Sequence, residues 1–466
     1  VKFVCVLNSI KPYKDGLDIM PSVFKHASYF LSTLASAYGE KFSEDTYRKY
    51  VKDVRNFKSR YSVYNPELWI DSGGYNFVKG EYSKNNVDAL IDRYHRFLKE
   101  EFGSFNKIFS LDLPLRSDKR TQYAINKQSI EKSLAAIKEN SAVKDKMYFV
   151  GQFLRNDQYE IWNKLYKEYE LYSIFKNRAI GGMVSSRKFS RDVPSPFIGI
   201  AFRYLLDFIK YGRKDDLTVH FLGIYLQQDR FTILLLEKIF SRYLKNVNIN
   251  FSYDTISYSR KIKMSHSSYE VIFNQNNIFY FDPSLAHFNN KSELKKIYDD
   301  NNLKKARGLI LSLKAKKDEK LKRDYDNFFH KDFLGEKNTF AEPGNLELLD
   351  PVGIYNNINI DRILSEAIDK YSLVDNIMAL DNLENSYGLI QDFVYSSSHC
   401  CEKDSVIEDS VASISENSVF GSFHFLKIIS LCMREVVKFH LWFTKYQDDE
   451  NMLDNMNIEF VKNFNK

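Results

Sequence analysis

Leu68-Trp69-Ile70-Asp71-Ser72-Gly73-Gly74-Tyr75 is an apolar, strand-forming run that stops on a carboxylate and continues into two glycines. The glycines allow a turn that a Cβ would obstruct, so the segment reads as a strand delivering an acid to the rim of a site. Asp-Ser-Gly-Gly is equally the composition of an ordinary turn. What gives the stretch weight is that its pattern recurs along the chain.

Lys107-Ile108-Phe109-Ser110-Leu111-Asp112 ends on a second acid before Pro114, and Met147-Tyr148-Phe149-Val150-Gly151-Gln152 ends on an amide. Arg178-Ala179-Ile180-Gly181-Gly182-Met183, Thr218-Val219-His220-Phe221-Leu222-Gly223 and Asn248-Ile249-Asn250-Phe251-Ser252-Tyr253-Asp254 continue the series. Phe3-Val4-Cys5-Val6-Leu7 reads as the first strand and Glu270-Val271-Ile272-Phe273 as the eighth. Apolar residues recurring at three and four predict helices between them, over 22–56, 86–102, 125–140, 158–172, 196–210 and 231–244. Strand and helix thus alternate about eight times, as repeated βα units do. An open doubly wound sheet would alternate likewise. However, Asp71, Asp112, Gln152, Gly182, Gly223 and Asp254 all stand at strand ends. Those ends converge on one mouth in a closed barrel, so the expected fold is an α/β protein of the (β/α)8 TIM type.

The 466 residues are enough for a barrel and an appendage. Lys and Arg number 67 against 61 Asp and Glu, a mild excess of +6 that is compatible with a polyanionic partner. The four cysteines include no Cys-x-x-Cys, which suits a reduced, cytoplasmic compartment. Lys2, Lys11 and Lys14 flank only a short apolar run, and no apolar stretch reaches spanning length, so neither a secretory signal nor a membrane partner is expected.

Three carboxylates and an amide at one mouth, without a histidine at a strand end or a cysteine cluster, suit acid–base and covalent carboxylate chemistry better than zinc hydrolysis. A pair of carboxylates is the usual means of breaking a glycosidic bond with retention. The same carboxylates could hold magnesium instead.

Taken in order, Asp71-Ser72-Gly73-Gly74-Tyr75, Leu111-Asp112-Leu113-Pro114, Gly151-Gln152, Ile180-Gly181-Gly182-Met183, Phe221-Leu222-Gly223 and Asp254 with Arg260 resemble the motifs of the tRNA-guanine transglycosylase superfamily. The resemblance covers residues 1–290, and the Leu-Asp-Leu-Pro form is similar to the archaeal branch. It implies a (β/α)8 barrel that exchanges guanine in a nucleic acid for a 7-deazaguanine base. By the same resemblance, Asp254 would attack the ribosyl C1′ and Asp71 would shuttle the proton of the departing and incoming bases. Asp112 and Gln152 would read the base edge, with Gly181, Gly182 and Gly223 beside it; Tyr75 and Leu222 would enclose its faces, and Arg260 would meet a phosphate. The tRNA enzymes also carry a Cys-x-Cys-x-x-Cys and a later His for a structural zinc. His399-Cys400-Cys401 lacks that spacing, so no zinc site, other metal or cofactor is expected.

Residues 291–466 read as a separate, mostly helical region. Lys304, Lys305, Arg307, Lys316 and Lys317 belong to a dense basic stretch that is either a solvated helix face or a phosphate-binding surface. Breaks at Glu342-Pro343-Gly344 and Pro351-Val352-Gly353 precede a last helical group over 360–380 and 420–445, with a Ser- and acid-rich connection over 396–418. With the zinc motif missing and the tail replaced, the expected substrate is DNA, as in the superfamily's DNA branch, with tRNA the alternative. A homodimer or an accessory protein is a further expected partner. A catalytically silent nucleic-acid-binding barrel and a metal-dependent barrel hydrolase are the competing readings.

Overall fold

The computed structural model describes residues 1–7, 20–24, 27–38, 43–74, 86–113, 119–153, 156–182, 197–211, 215–224, 226–255, 270–273, 278–281, 351–399 and 423–446. Eight parallel strands close a barrel in chain order: β1 (Lys2–Leu7), β2 (Tyr29–Thr33), β3 (Glu67–Asp71), β4 (Lys107–Phe109), β5 (Met147–Gln152), β6 (Asn177–Gly181), β7 (Leu217–Phe221) and β8 (Ile249–Thr255). Closure is made by β1 on β8, in a register that pairs Val4 with Asp254.

The outer ring consists of α1 (Glu44–Arg60), α2 (Val87–Glu100), α3 (Lys119–Glu139), α4 (Asn156–Glu168), α5 (Ile198–Lys210) and α6 (Gln227–Tyr243), with several single turns between them. Helix α1 illustrates why such segments are helical. Ser43 accepts from the Thr46 amide as N-cap, Glu44 and Asp45 meet the positive end of the helix dipole, and Lys58 and Arg60 meet the negative end. Its buried stripe of Tyr47, Tyr50, Val51, Val54 and Phe57 faces the sheet.

Two strand assignments differ from the sequence reading. The segment expected to be helical over 22–56 contains β2, whose Tyr29-Phe30-Leu31-Ser32-Thr33 inserts between β1 and β3. Apolar residues there happen to fall at helical spacing, but the aromatic and β-branched content suits a pleated, buried strand. Glu270–Phe273, expected as the eighth strand, pairs antiparallel with Ile278–Phe281 outside the barrel; these are β9 and β10. The true eighth strand is the one carrying Asp254.

Side chains alternate along each strand, so one parity fills the barrel and the other packs under the helices. Val4, Leu31, Trp69, Phe109, Tyr148, Val150 and Ala179 form the interior cluster, with Val6, Tyr29 and Leu222 against it. Asp71 shares its parity with Trp69, Gln152 with Val150, and Asp254 with Ser252, which brings all three toward the barrel axis at the carboxyl end.

Four further helices, α7 (Pro351–Lys370), α8 (Leu373–Met378), α9 (Ser386–His399) and α10 (Phe423–Tyr446), cover α5 and α6. Pro351, read from sequence as a break, is the first residue of α7, a position where its missing N–H costs nothing. Phe202 stacks on Phe439 with ring centroids 5.8 Å apart, and Phe231 meets Phe393 at 5.6 Å. This second layer accounts for the nearly all-round burial of α5 and α6, which a one-sided barrel helix would not need. Among the described residues no helix is long and apolar enough to cross a membrane.

Candidate active site

Asp71 closes β3, Gln152 closes β5, Gly181 closes β6 and Asp254 is the penultimate residue of β8. In a parallel barrel these ends form a single mouth. Asp112 lies three residues beyond β4 and reaches the same place through its neighbours. The Ser72 hydroxyl donates to Asp112 Oδ1 at 3.1 Å, and the Gln152 amide donates to Asp112 Oδ2. The loop beneath is fixed by Asn126, which accepts from the Leu113 amide at 2.9 Å and donates to the Leu113 carbonyl at 3.1 Å. Ser129 adds a bond to the Leu111 carbonyl at 2.8 Å.

The two glycines after Asp71 have different tasks. Gly73 takes φ +80°, which favours glycine, and a Cβ on it would lie 2.8 Å from the Ala35 amide nitrogen. A Cβ on Gly74 would lie 2.0 Å from the Asp112 carbonyl oxygen, so the turn after β3 is packed directly on the loop after β4. The close approach brings the two acids together.

Their electrostatics follow. Burial pushes the Asp71 carboxyl up to about 7; the charge of Asp112 adds to the rise and that of Asp254 adds less, against hydrogen bonds from Thr33 and Gly73. Asp71 as a residue is half-buried, with Thr33, Gly73 and Asp112 among the groups that act on its carboxyl. Burial likewise raises Asp112 to about 6, although Gln152 and Ser72 stabilise its ionised form. A carboxyl poised near neutrality can both give and take a proton.

Asp254 is held differently. The Gly223 amide donates to its Oδ1 at 2.9 Å, and His220 Nε2 stands 3.0 Å from the same oxygen. His220 is fully buried in the barrel interior, 4.7 Å from the Phe109 ring and 5.6 Å from that of Trp69. No strand ends on a histidine in the sequence, and His220 is legible only from its parity. His220 sits one residue before the end of β7, with the inward parity of Leu222, and that parity was the available signal.

Asp71, Asp112, Gln152, Gly181, Gly182, Leu222, Gly223 and Asp254 are therefore all at or beside the mouth. Gly181 is tight against Gln152, since a Cβ on it would lie 2.4 Å from Nε2. Tyr75, Arg260 and the basic residues Lys304, Lys305, Arg307, Lys316 and Lys317 lie outside the described residues, as do Cys400 and Cys401. Among the described residues no group of three or more His, Cys, Asp and Glu side chains is arranged to hold a metal ion. No family model matches the chain, and no curated protein matches it either.

Such a mouth can perform nucleophilic substitution at an electrophilic carbon. Asp254 supplies a carboxylate fixed by two donors, Asp71 supplies a proton near neutral pH, and Asp112 with Gln152 supplies an acceptor and an amide for a planar polar group.

Proposed function

We propose that this protein is a base-exchanging glycosyltransferase that replaces guanine in a nucleic acid with a 7-deazaguanine base, and that the nucleic acid is DNA. The observation that carries the reading is the division of labour between two carboxyls at one mouth: Asp254 pinned through one oxygen, and Asp71 raised to about 7. Retaining glycosyl transfer requires that pair, one carboxylate to attack and one carboxyl to move a proton. The order of the strand-end motifs and their resemblance to the guanine transglycosylases supply the base and a nucleic acid, and the missing zinc motif with the replaced tail favours DNA over tRNA.

In the forward half, the Asp254 carboxylate forms a bond to C1′ as the bond from C1′ to guanine N9 breaks. The electron pair leaves with the base, which takes the Asp71 proton. In the second half, ionised Asp71 removes a proton from the incoming base, whose nitrogen attacks C1′ and returns Asp254 to a free carboxylate. Asp112 accepts from the base N–H groups, and Gln152 holds Asp112 in place and meets the base carbonyl. A stacked nucleotide cannot present C1′ to a barrel mouth, so the target is extruded or already unpaired.

Incubation with radiolabelled guanine and, separately, single-stranded DNA, duplex DNA and unmodified tRNA tests the proposal. Label in DNA that Asp254→Ala abolishes is the expected result. Label in tRNA alone would overturn the choice of polymer, and tight binding of nucleic acid without exchange into any polymer would favour a silent barrel.

A further inference from the structure

Among the described residues, His220 is the one side chain hydrogen-bonded to Asp254, and the exchange chemistry gives it no task. Its surroundings decide what it can do. Rings of Trp69, Phe109 and Tyr148 enclose it at 5.6, 4.7 and 6.0 Å between centroids, and its relative exposure is 0%. No water-borne substrate group reaches a side chain packed in this way. It touches instead two polar groups on β8: Nδ1 lies 2.9 Å from Ser252 Oγ, and Nε2 lies 3.0 Å from Asp254 Oδ1.

The geometry fixes the hydrogens. A carboxylate only accepts, so Nε2 carries the hydrogen in the contact with Asp254. In the neutral ring, Nδ1 then accepts the hydrogen of the Ser252 hydroxyl. A polar chain thus runs from Ser252 through His220 to Asp254 within an otherwise apolar barrel. Each buried polar group in it is satisfied by the next, which holds the imidazole in one orientation.

The consequence falls on the carboxylate. His220 Nε2, near the end of β7, and the Gly223 amide, in the turn after it, both address Oδ1. Among the described residues Oδ2 receives no donor. One oxygen of Asp254 is thus clamped and the other is left with its electron density available.

We propose that His220 is the positioning residue of the nucleophile: it fixes Asp254 Oδ1 so that Oδ2 is the oxygen that bonds to the anomeric carbon. The inference rests on the transglycosylase reading for the reaction, and on the two contacts to Oδ1 for the orientation. His220 neither gives nor takes a proton in the cycle. Its contribution is to hold the attacking oxygen at the angle of approach, where a displacement of about 1 Å can cost on the order of a hundredfold in rate.

Two variants separate positioning from simple support of the fold. His220→Phe keeps a ring among the aromatic neighbours and deletes the donor; His220→Gln restores an N–H near the Nε2 position. Steady-state exchange of labelled guanine into DNA is measured for both, together with crystal structures of the unliganded variants. The expected result for His220→Phe is a kcat about a hundredfold lower with KM for base and polymer unchanged, as befits loss of an interaction made in the transition state. His220→Gln recovers most of that loss, and the Asp254 carboxylate of His220→Phe takes a different rotamer or several.

A His220→Phe enzyme as fast as the wild type would overturn the proposal, and so would an unchanged Asp254 rotamer in its structure. A wild-type protein that exchanges no base into any polymer would refute the proposed function. The Asp254 rotamer in His220→Phe then decides the positioning claim by itself.

Discussion

The Tyr253 hydroxyl donates to Asp361 Oδ2 at 2.6 Å, so the residue next to Asp254 on β8 is tied to helix α7 of the C-terminal group. Arg230 on α6 completes the junction, donating to Asp361 Oδ1 at 2.7 Å and to Asn357 Oδ1 at 2.7 Å. Both Tyr253 and Arg230 are buried, and the outward side of β8 is thereby anchored while its inward side presents Asp254.

This junction predicts a stability effect of the second helical layer on the barrel. Asp361→Ala leaves the buried Arg230 guanidinium with Asn357 but without its carboxylate, and a cost of about 3–5 kcal/mol is expected. Tyr253→Phe removes a single hydrogen bond and should cost about 1 kcal/mol. Urea unfolding followed by tryptophan fluorescence reads both; equal midpoints for Asp361→Ala and wild type would show that the helices do not brace the barrel.

Asp71 predicts a pH signature. Its carboxyl is raised to about 7 in the folded protein, chiefly by burial and then by Asp112, above the value of about 3.9 of an unfolded chain. Between those values the folded state binds the proton that the unfolded state has released, so wild-type stability falls as pH rises from about 4 to about 7 and then levels off. Asp71→Asn carries no such proton. Its stability relative to wild type should rise across that window, while base exchange is lost at every pH. A stability difference flat from pH 4 to 8 would contradict the assignment.

Gly74→Ala tests the contact that brings the two acid-bearing loops together. Its Cβ would stand 2.0 Å from the Asp112 carbonyl, so the loops must part. Overpacking of this kind costs about 1–3 kcal/mol, and the displaced carboxyls should lower exchange by on the order of a hundredfold. Thermal melting and initial rates measured together distinguish this from global unfolding, which would remove both.

Gln152→Ala deprives Asp112 of its amide donor and leaves Ser72 as the side-chain donor to Oδ1. Stabilisation of the ionised form weakens, so the Asp112 carboxyl should rise further above about 6. At pH 7 the expected outcome is a KM for guanine higher by about ten- to a hundredfold, the effect of a lost hydrogen bond to a charged group. Little change in KM would remove Gln152 and Asp112 from base recognition.

Much of the barrel was legible because its strands are short apolar runs with abrupt polar ends, as at Asp71, Gln152 and Asp254. The parity of those ends, inward in each case, could be counted from the sequence. Strand β2 was not legible, because Phe30, Leu31 and Leu34 fit helical spacing with Val23 and Ala27 as well as they fit a strand. With β2 missed, the strand count was made up by Glu270–Phe273, whose local pattern is that of a strand but whose partner is β10. His220 was overlooked because it precedes the strand end by one residue, and only the closed barrel sets it against Ser252 and Asp254. The docking of α7–α10 on α5 and α6 had a trace in the sequence, the predominantly apolar character of residues 198–209, interrupted only by Arg203 and Asp207, which a helix with one exposed face does not require.

In the proposed exchange Asp254 forms a covalent glycosyl-enzyme, and that adduct can be trapped. The protein would be mixed with single-stranded DNA without an acceptor base, denatured, digested and mapped by mass spectrometry. A nucleic-acid adduct on the peptide containing Asp254, absent in Asp254→Asn, is expected. An adduct on another residue, or base exchange that survives Asp254→Asn, would contradict it.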